Sequence, residues 1–178
     1  MKEFLSKMKG GSQAPPIPGP GEITRALAGS CASLSLLSFL HSLLLDSAGL
    51  PLIMAPLGAS AVLVFGAFRS PLAQPRNVIG GHVLSGFIGV TVHQLTGGHP
   101  ALAVSLAVPL AIALMHRSGT LHPPGGATAF VAAAGGQAIE DLGYWYVLTP
   151  CALGSVIMVA SALLINNLPR EHRYPLFW

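Results

Sequence analysis

The sequence predicts an all-α fold: a polytopic helical membrane protein of six spans, arranged as two inverted three-helix repeats with Pro/Gly-broken middle helices. Three observations predict it. Hydrophobic residues make up 52% of the 178 residues, charged residues 8%, and the mean hydropathy is +0.64. A soluble domain carries about 25% charged residues, and a charge set in hydrocarbon costs roughly 2.5–3.5 kcal/mol. The apolar residues fall into six runs, each near the ~20 residues a helix needs to cross ~30 Å of hydrocarbon. Finally, every Lys and Arg lies on one side of the path that six crossings trace.

The elements follow in order. Residues 1–22 are polar, basic and rich in Pro and Gly, as a flexible cytoplasmic tail would be. The first apolar run, Ile23–Leu45, lacks a small-x-small cleavage site and is followed by further spans, so it is a retained helix rather than a signal peptide. The remaining runs are Leu50–Phe68, Asn77–Leu95, Pro100–His116, Gly119–Gln137 and Gly143–Asn166. Together they form a transmembrane domain, 23–167, with repeat one at 23–97 and repeat two at 98–167, before a short cytoplasmic tail, 168–178. With Met1 cytoplasmic, that side receives Lys2, Lys7, Lys9, Arg25, Arg69, Arg76, Arg117, Arg170 and Arg173, and the other side Asp46, Glu140 and Asp141. Both termini are therefore expected in the cytoplasm of a bacterial-type cell, the chain lying in its inner membrane. A four-span chain with re-entrant Leu50 and Gly119 segments would strand Arg69, Arg76 and Arg117 on the wrong side. The Gly119 segment is nonetheless the weakest of the six.

An internal repeat carries the functional expectation. Pro56-Leu57-Gly58-Ala59-Ser60-Ala61 recurs as Pro124-Gly125-Gly126-Ala127-Thr128-Ala129, at an offset of 68 residues. The same offset moves the third span onto the sixth and Gly86 onto Gly154. Three spans per copy is odd, so the second copy is inserted upside down, the pattern of many transporters. Proline lacks an amide hydrogen and suits a first helical turn. Glycine allows close approach, and the Ser60 and Thr128 hydroxyls can donate to a ligand or bond back to their own helix. Each middle span is thus expected to be an irregular lead-in followed by a helix starting at Pro56 or Pro124. Their amino termini would converge near mid-membrane and favour an anion. The competing reading is that Pro and Gly only kink two helices and let neighbours pack.

His122-Pro123-Pro124-Gly125-Gly126-Ala127-Thr128-Ala129 resembles the signature of the HPP transmembrane family. Pro56–Ala61 and Ser70–His82, which holds Arg76, Asn77 and His82, resemble its other recurrent stretches. The resemblance covers the chain from about Ile23 to its end. It implies a small integral membrane protein, and, because some plastid and cyanobacterial members are associated with nitrite transport, a monovalent anion as cargo. Family descriptions commonly count four spans, against the six read here. Some members carry a cytoplasmic nucleotide-sensing tandem domain after the membrane region; that mode of regulation is not expected from this chain.

The other polar residues bound the function. The seven histidines show no metal-ligand spacing, so no metal and no cofactor is expected. His122 could bind an anion, carry a proton or cap a helix. His82 and His93 share a helical face, as proton path or packing residues. Arg76 and Asn77 sit at the cytoplasmic mouth of the third span, where Arg76 either attracts anions or anchors topology. Gly81, Ser85 and Gly89 form a packing stripe; Tyr144, Trp145, Tyr174 and Trp178 read as interfacial aromatics. No basic patch with interleaved aromatics suggests nucleic acid, and no nucleophile–base pair in the spans suggests an enzyme. The expected partners are the lipid bilayer and a small anion, with a homo-oligomer left open. Two functions remain: anion transport through a site of Pro56, Gly58, Ala59, Ser60, Arg76, Asn77, His82, His122, Pro124, Gly125, Gly126, Ala127 and Thr128, or a non-transporting scaffold or sensor.

Overall fold

The structure, a computed structural model, describes residues 1–9, 11, 13–44 and 50–178; Asp46, expected in an external loop, lies outside them. Among the described residues the chain is all-α, with eight helices and no strand. Helix α1 (Lys2–Lys7) precedes α2 (Pro20–Leu44), which starts on a proline whose fixed φ suits a first turn. Helix α3 (Leu50–Ala61) runs on into a π-helical turn, Val62–Gly66. A loop with a short 3-10 turn, Pro71–Ala73, leads to α4 (Pro75–Leu95), then α5 (Pro100–Ser118), α6 (Pro123–Ala134) and α7 (Gln137–Leu142). The last crossing begins as a π-helical turn, Val147–Ala152, broken at Thr149, and continues as α8 (Leu153–Ile165).

Among the described residues, four helices are long and apolar enough to cross a membrane: Pro20–Leu43, Pro75–Leu95, Pro100–Ser118 and Val147–Ile165. The six crossings expected from the sequence therefore reduce to four by length, because the two middle segments hold α-helices of 12 residues each. The packing places these short segments. Asn77 Nδ2 donates to the Leu121 carbonyl (2.9 Å), Gly81 meets His122, Gly89 meets Ala129 and Ala132, and His93 Nδ1 donates to the Ala133 carbonyl (3.1 Å). Residues 119–134 thus lie parallel to α4 from Arg76 to His93, a run of about 25 Å at 1.5 Å per residue. Likewise α3 and its π-helical turn run parallel to α8, with Leu57 on Gly154 and the Val64 carbonyl accepting from Asn166 Nδ2 (2.9 Å).

Among the long helices, α2 packs on α8 and α5 packs on α4. The α4–α5–α6 seam is built from Ala103, Ala107, Ala111, Ala129 and Ala133, small enough to let backbones approach closely. The other major core joins Leu37, Leu57, Phe65, Phe68 and Met158 across α2, α3 and α8. At one end of the bundle, the π-helical turn leaves terminal carbonyls without helical partners. Arg25 donates to the Phe65 carbonyl (3.3 Å) and to Asn166 Oδ1, and Arg76 to the Ser118 carbonyl at the end of α5 (2.7 Å). Arg25, Arg69, Arg76 and Arg117 all gather at this basic end, whereas Glu140 lies beside His93 at the other.

One expected element start is corrected. Helix α3 does not begin at Pro56, which lies inside it. The loss of one amide and a local kink are tolerated in a helix already started upstream and held by neighbours. Helix α6 begins at Pro123, one residue before the expected Pro124, with His122 extended just before it (φ −141°, ψ 107°).

Candidate functional site

Apolar spans leave few places for polar side chains, and four of those few meet at one point. Ser60 from α3, His82 from α4, His122 before α6 and Thr128 within α6 are all at most 1% exposed. Ser60 Oγ lies 2.7 Å from His82 Nε2 and 2.8 Å from His122 Nε2; His82 Nδ1 lies 2.7 Å from Thr128 Oγ1; His122 Nδ1 lies 2.8 Å from the Leu72 carbonyl. The two rings stand edge to face at 5.1 Å. The hydroxyls bound to the two nitrogens of His82 are the repeat-equivalent residues Ser60 and Thr128.

The Leu72 carbonyl can only accept, and this fixes every proton in the chain when both rings are neutral. His122 Nδ1–H donates to it, so His122 Nε2 must accept from the Ser60 hydroxyl. Ser60 Oγ then accepts from His82 Nε2–H, and His82 Nδ1 accepts from the Thr128 hydroxyl. The result is one directed chain, Thr128→His82→Ser60→His122→Leu72 carbonyl. The Thr128 hydroxyl has a longer alternative, the Pro124 carbonyl at 3.3 Å.

Burial across the two boxes matches at every position: Pro56 and Pro124, Leu57 and Gly125, Ser60 and Thr128, and Ala61 and Ala129 are buried, Gly58 and Gly126 half-buried, Ala59 and Ala127 exposed. The same faces of α3 and α6 therefore turn inward. Of the box residues expected to line a site, Ala59 and Ala127 are exposed and take no part in the hydrogen bonds of the cluster, and a methyl on Gly58 or Gly126 would meet nothing within 4 Å. Gly125 instead lies under the Gly81 carbonyl, Ser85 and Met115, with 3.0 Å for any added methyl.

The expected amide cradle is also corrected. Pro123 and Pro124 have no N–H, and the Gly125 amide is spent on the His122 carbonyl (2.8 Å). The first turn of α6 contributes a dipole but no free donor among these three residues. Arg76 and Asn77 do not reach the cluster; they hold the Ser118 and Leu121 carbonyls and so pin the turn that delivers His122.

Two cavities flank this closed centre. At the basic end, one of about 480 Å3 is lined by Glu22, Arg25, Phe68, Arg69 and Ser70 among others. Arg25 and Arg69 stand 4.6 and 4.9 Å from the Phe68 ring centroid, and Arg69 pairs with Glu22 at 3.6 Å. At the opposite end, one of about 440 Å3 is lined by His93, Gln94, Gly97, Gly98 and Glu140, with His93 Nε2 3.8 Å from Glu140. Sequence reasoning assigned Arg25, Arg69 and Glu140 only to topology. Their place at a cavity arises from loops closing over helix ends, for which the sequence holds no local signal.

The sequence profile of the family described as HPP, transmembrane region, matches residues 15–175. Two curated proteins of Dictyostelium discoideum, each described as a transmembrane protein, are similar to the chain. One is 36% identical over 179 residues, covering 99% of this chain and 57% of its own length. The other is 37% identical over 174 residues, covering 95% of this chain and 60% of its own length. The chain thus spans less than two thirds of the length of either relative. No solved structure matches it.

Proposed function

The chain belongs to the HPP transmembrane family, and from that premise we propose that it transports a small monovalent anion, nitrite first among candidates, across a membrane at the point where its two boxes meet. One observation carries the reading: the equivalent hydroxyls Ser60 and Thr128 bind the two nitrogens of a single buried residue, His82. A polar group at that depth is costly unless hydrogen-bonded, and ionisable ones there commonly mark a pathway. The cluster offers hydroxyl and imidazole groups, and among the described residues no carboxylate hydrogen-bonds to it, so it suits an anion better than a cation. One cavity lies at the basic end, beside Arg25 and Arg69, and another at the far end of α4, beside His93.

The topology proposed with it has six crossings in two inverted repeats, the short middle segments included. The matched burial of the boxes and the reciprocal packing of α2 on α8 and α4 on α5 support this. The basic end faces the cytoplasm, in keeping with the preference of Lys and Arg for that side, and the membrane is a bacterial-type inner membrane.

A second reading is favoured by one observation. The four side chains satisfy one another, as they would in a scaffold or sensor whose polar centre only specifies packing. Proteoliposomes holding purified protein separate the two. Nitrite should enter faster than into protein-free liposomes and faster than potassium or sodium. Cation flux without anion flux would end the anion reading, and no flux of either would leave the scaffold.

A further inference from the structure

We propose that the chain Thr128→His82→Ser60→His122 is a proton relay that couples anion movement to protons; this rests on the transport reading above and names its coupling ion. The warrant is geometric. Four buried groups, each capable of both giving and taking a proton, lie in unbroken contact at 2.7–2.8 Å. They are contributed by three separate segments that the fold brings together from up to 68 residues apart. A packing role needs hydrogen bonds, but it does not need every link to be a proton-transferring group.

The step balances. A proton from hydronium, or from the conjugate acid of the carried anion, is taken up by Thr128 Oγ1 as the hydroxyl's own proton passes to His82 Nδ1. The His82 Nε2–H bond breaks as its proton passes to Ser60 Oγ. The former Ser60 proton passes to His122 Nε2, and the His122 Nδ1–H bond breaks, its proton leaving to water beside the half-buried Leu72 at the basic end. One proton enters and one leaves, and all four residues are again neutral. In the discharged state the His122 Nδ1 lone pair faces the Leu72 carbonyl oxygen, an arrangement without a hydrogen bond. Reset takes no proton back through the chain: when the cluster opens to water during transport, each ring gives up its N–H proton and takes another on its other nitrogen, and the Ser60 hydroxyl turns, so the relay again accepts from the Thr128 side.

The competing acceptor among the hydrogen bonds of these residues is the Pro124 carbonyl, 3.3 Å from Thr128 Oγ1 and so farther than His82 Nδ1 at 2.7 Å. His82 and His122 are the titratable groups that face one another. Tyr146 and Cys151 reach α4 at Gly86 from the π-helical turn before α8, and Met115 reaches it at Ser85 from α5. The charged groups nearest along α4 are Arg76, bound to Ser118, and Glu140, beside His93.

The test uses the full chain in liposomes with a pH-reporting dye trapped inside and nitrite added outside, with protein-free liposomes as background. Wild type should acidify the lumen in proportion to anion uptake, and a potassium–valinomycin voltage clamp should leave that uptake unchanged. Ser60→Ala cuts the chain between the rings, and the protons carried per anion should fall by about 100-fold, the low end of what a positioned proton-transfer group contributes. Ser60→Thr restores the hydroxyl and should restore the ratio, which a merely structural Ser60 would not require. Anion uptake in wild type that follows the clamped voltage with no acidification would overturn the relay and leave the transport reading intact. If no anion moves, a valinomycin-driven proton current present in wild type and lost in Ser60→Ala would uphold the relay while the anion reading falls. Absence of that current as well would sink both.

Discussion

Gly81→Ala tests the geometry of the centre directly, because Gly81 is the surface against which His122 is held. A methyl on Gly81 would lie 2.6 Å from His122 Cβ and 3.1 Å from the Thr120 carbonyl oxygen. Carbon atoms rest at about 3.5–4.0 Å, so His122 must retreat by about 1 Å. Both of its bonds are 2.8 Å long, and neither survives such a shift in the direction away from its partner. Overpacking costs about 1–3 kcal/mol and a stranded buried polar group a further 1–3 kcal/mol or so, against about 1 kcal/mol gained from alanine's helix propensity. The net expectation is a loss of about 1–5 kcal/mol. Gly126→Ala, where the added methyl meets nothing, is the control and should be neutral or gain up to about 1 kcal/mol. Thermal unfolding of the two variants in the same detergent compares them, with nitrite uptake measured in parallel. A Gly81→Ala protein that melts with wild type and transports at its rate would refute the close approach, and with it the positioning of His122.

Two further predictions concern the ends of the molecule. On a background without Cys31 and Cys151, Leu72→Cys should react only with a reagent that enters the cytoplasm and Glu140→Cys with an impermeant one; the reverse pattern would overturn the orientation. Burial pushes the Tyr174 phenol above its ordinary value of about 10. The unfolded tail therefore ionises first, so docking of the tail is unaffected below about pH 10 and weakens as pH rises beyond it. Proteolytic sensitivity of residues 168–178 should show that rise, and Tyr174→Phe should abolish its pH dependence while losing about 1 kcal/mol from the bond to the Ala73 carbonyl.

The residues at the centre were legible because polar groups are costly in apolar runs. Ser60 and Thr128 stand out because they also occupy matching positions of the repeated box, and His82 and His122 because they lie in the stretches that resemble the family. Their neighbours in the boxes were not, because the inward face of a short helix is set by what it packs on. Gly58 and Ala59 look as suited to a site as Ser60 until Leu57 is seated on Gly154 and fixes the rotation of α3. Pro56 misled for a related reason. A local preference for helix starts competes with residues upstream that have already begun the helix. At α6 no such competition exists, since Gly119 at φ 67° ends α5 and the extended residues to His122 give the prolines their first turn. Tyr174 reads as an interfacial aromatic in sequence, yet it is 3% exposed. The tail folds back because Gln74, buried with its amide on the Phe68 and Ser70 carbonyls, offers its own carbonyl to the Leu176 amide.

The knot at the basic end has a consequence for the order of assembly. Arg25 enters with the first long helix, the Phe65 and Val64 carbonyls with the second segment, and Asn166 with the last. During synthesis the guanidinium can meet the Phe65 carbonyl early, but Asn166 emerges 141 residues after Arg25. Until then a cation at the membrane edge and the Val64 carbonyl lack the side chain that joins them. The bundle is consequently a structure that latches last where it began first. Chains stopped before Asn166 should insert yet stay unlatched, exposed to the proteases that clear incomplete membrane proteins.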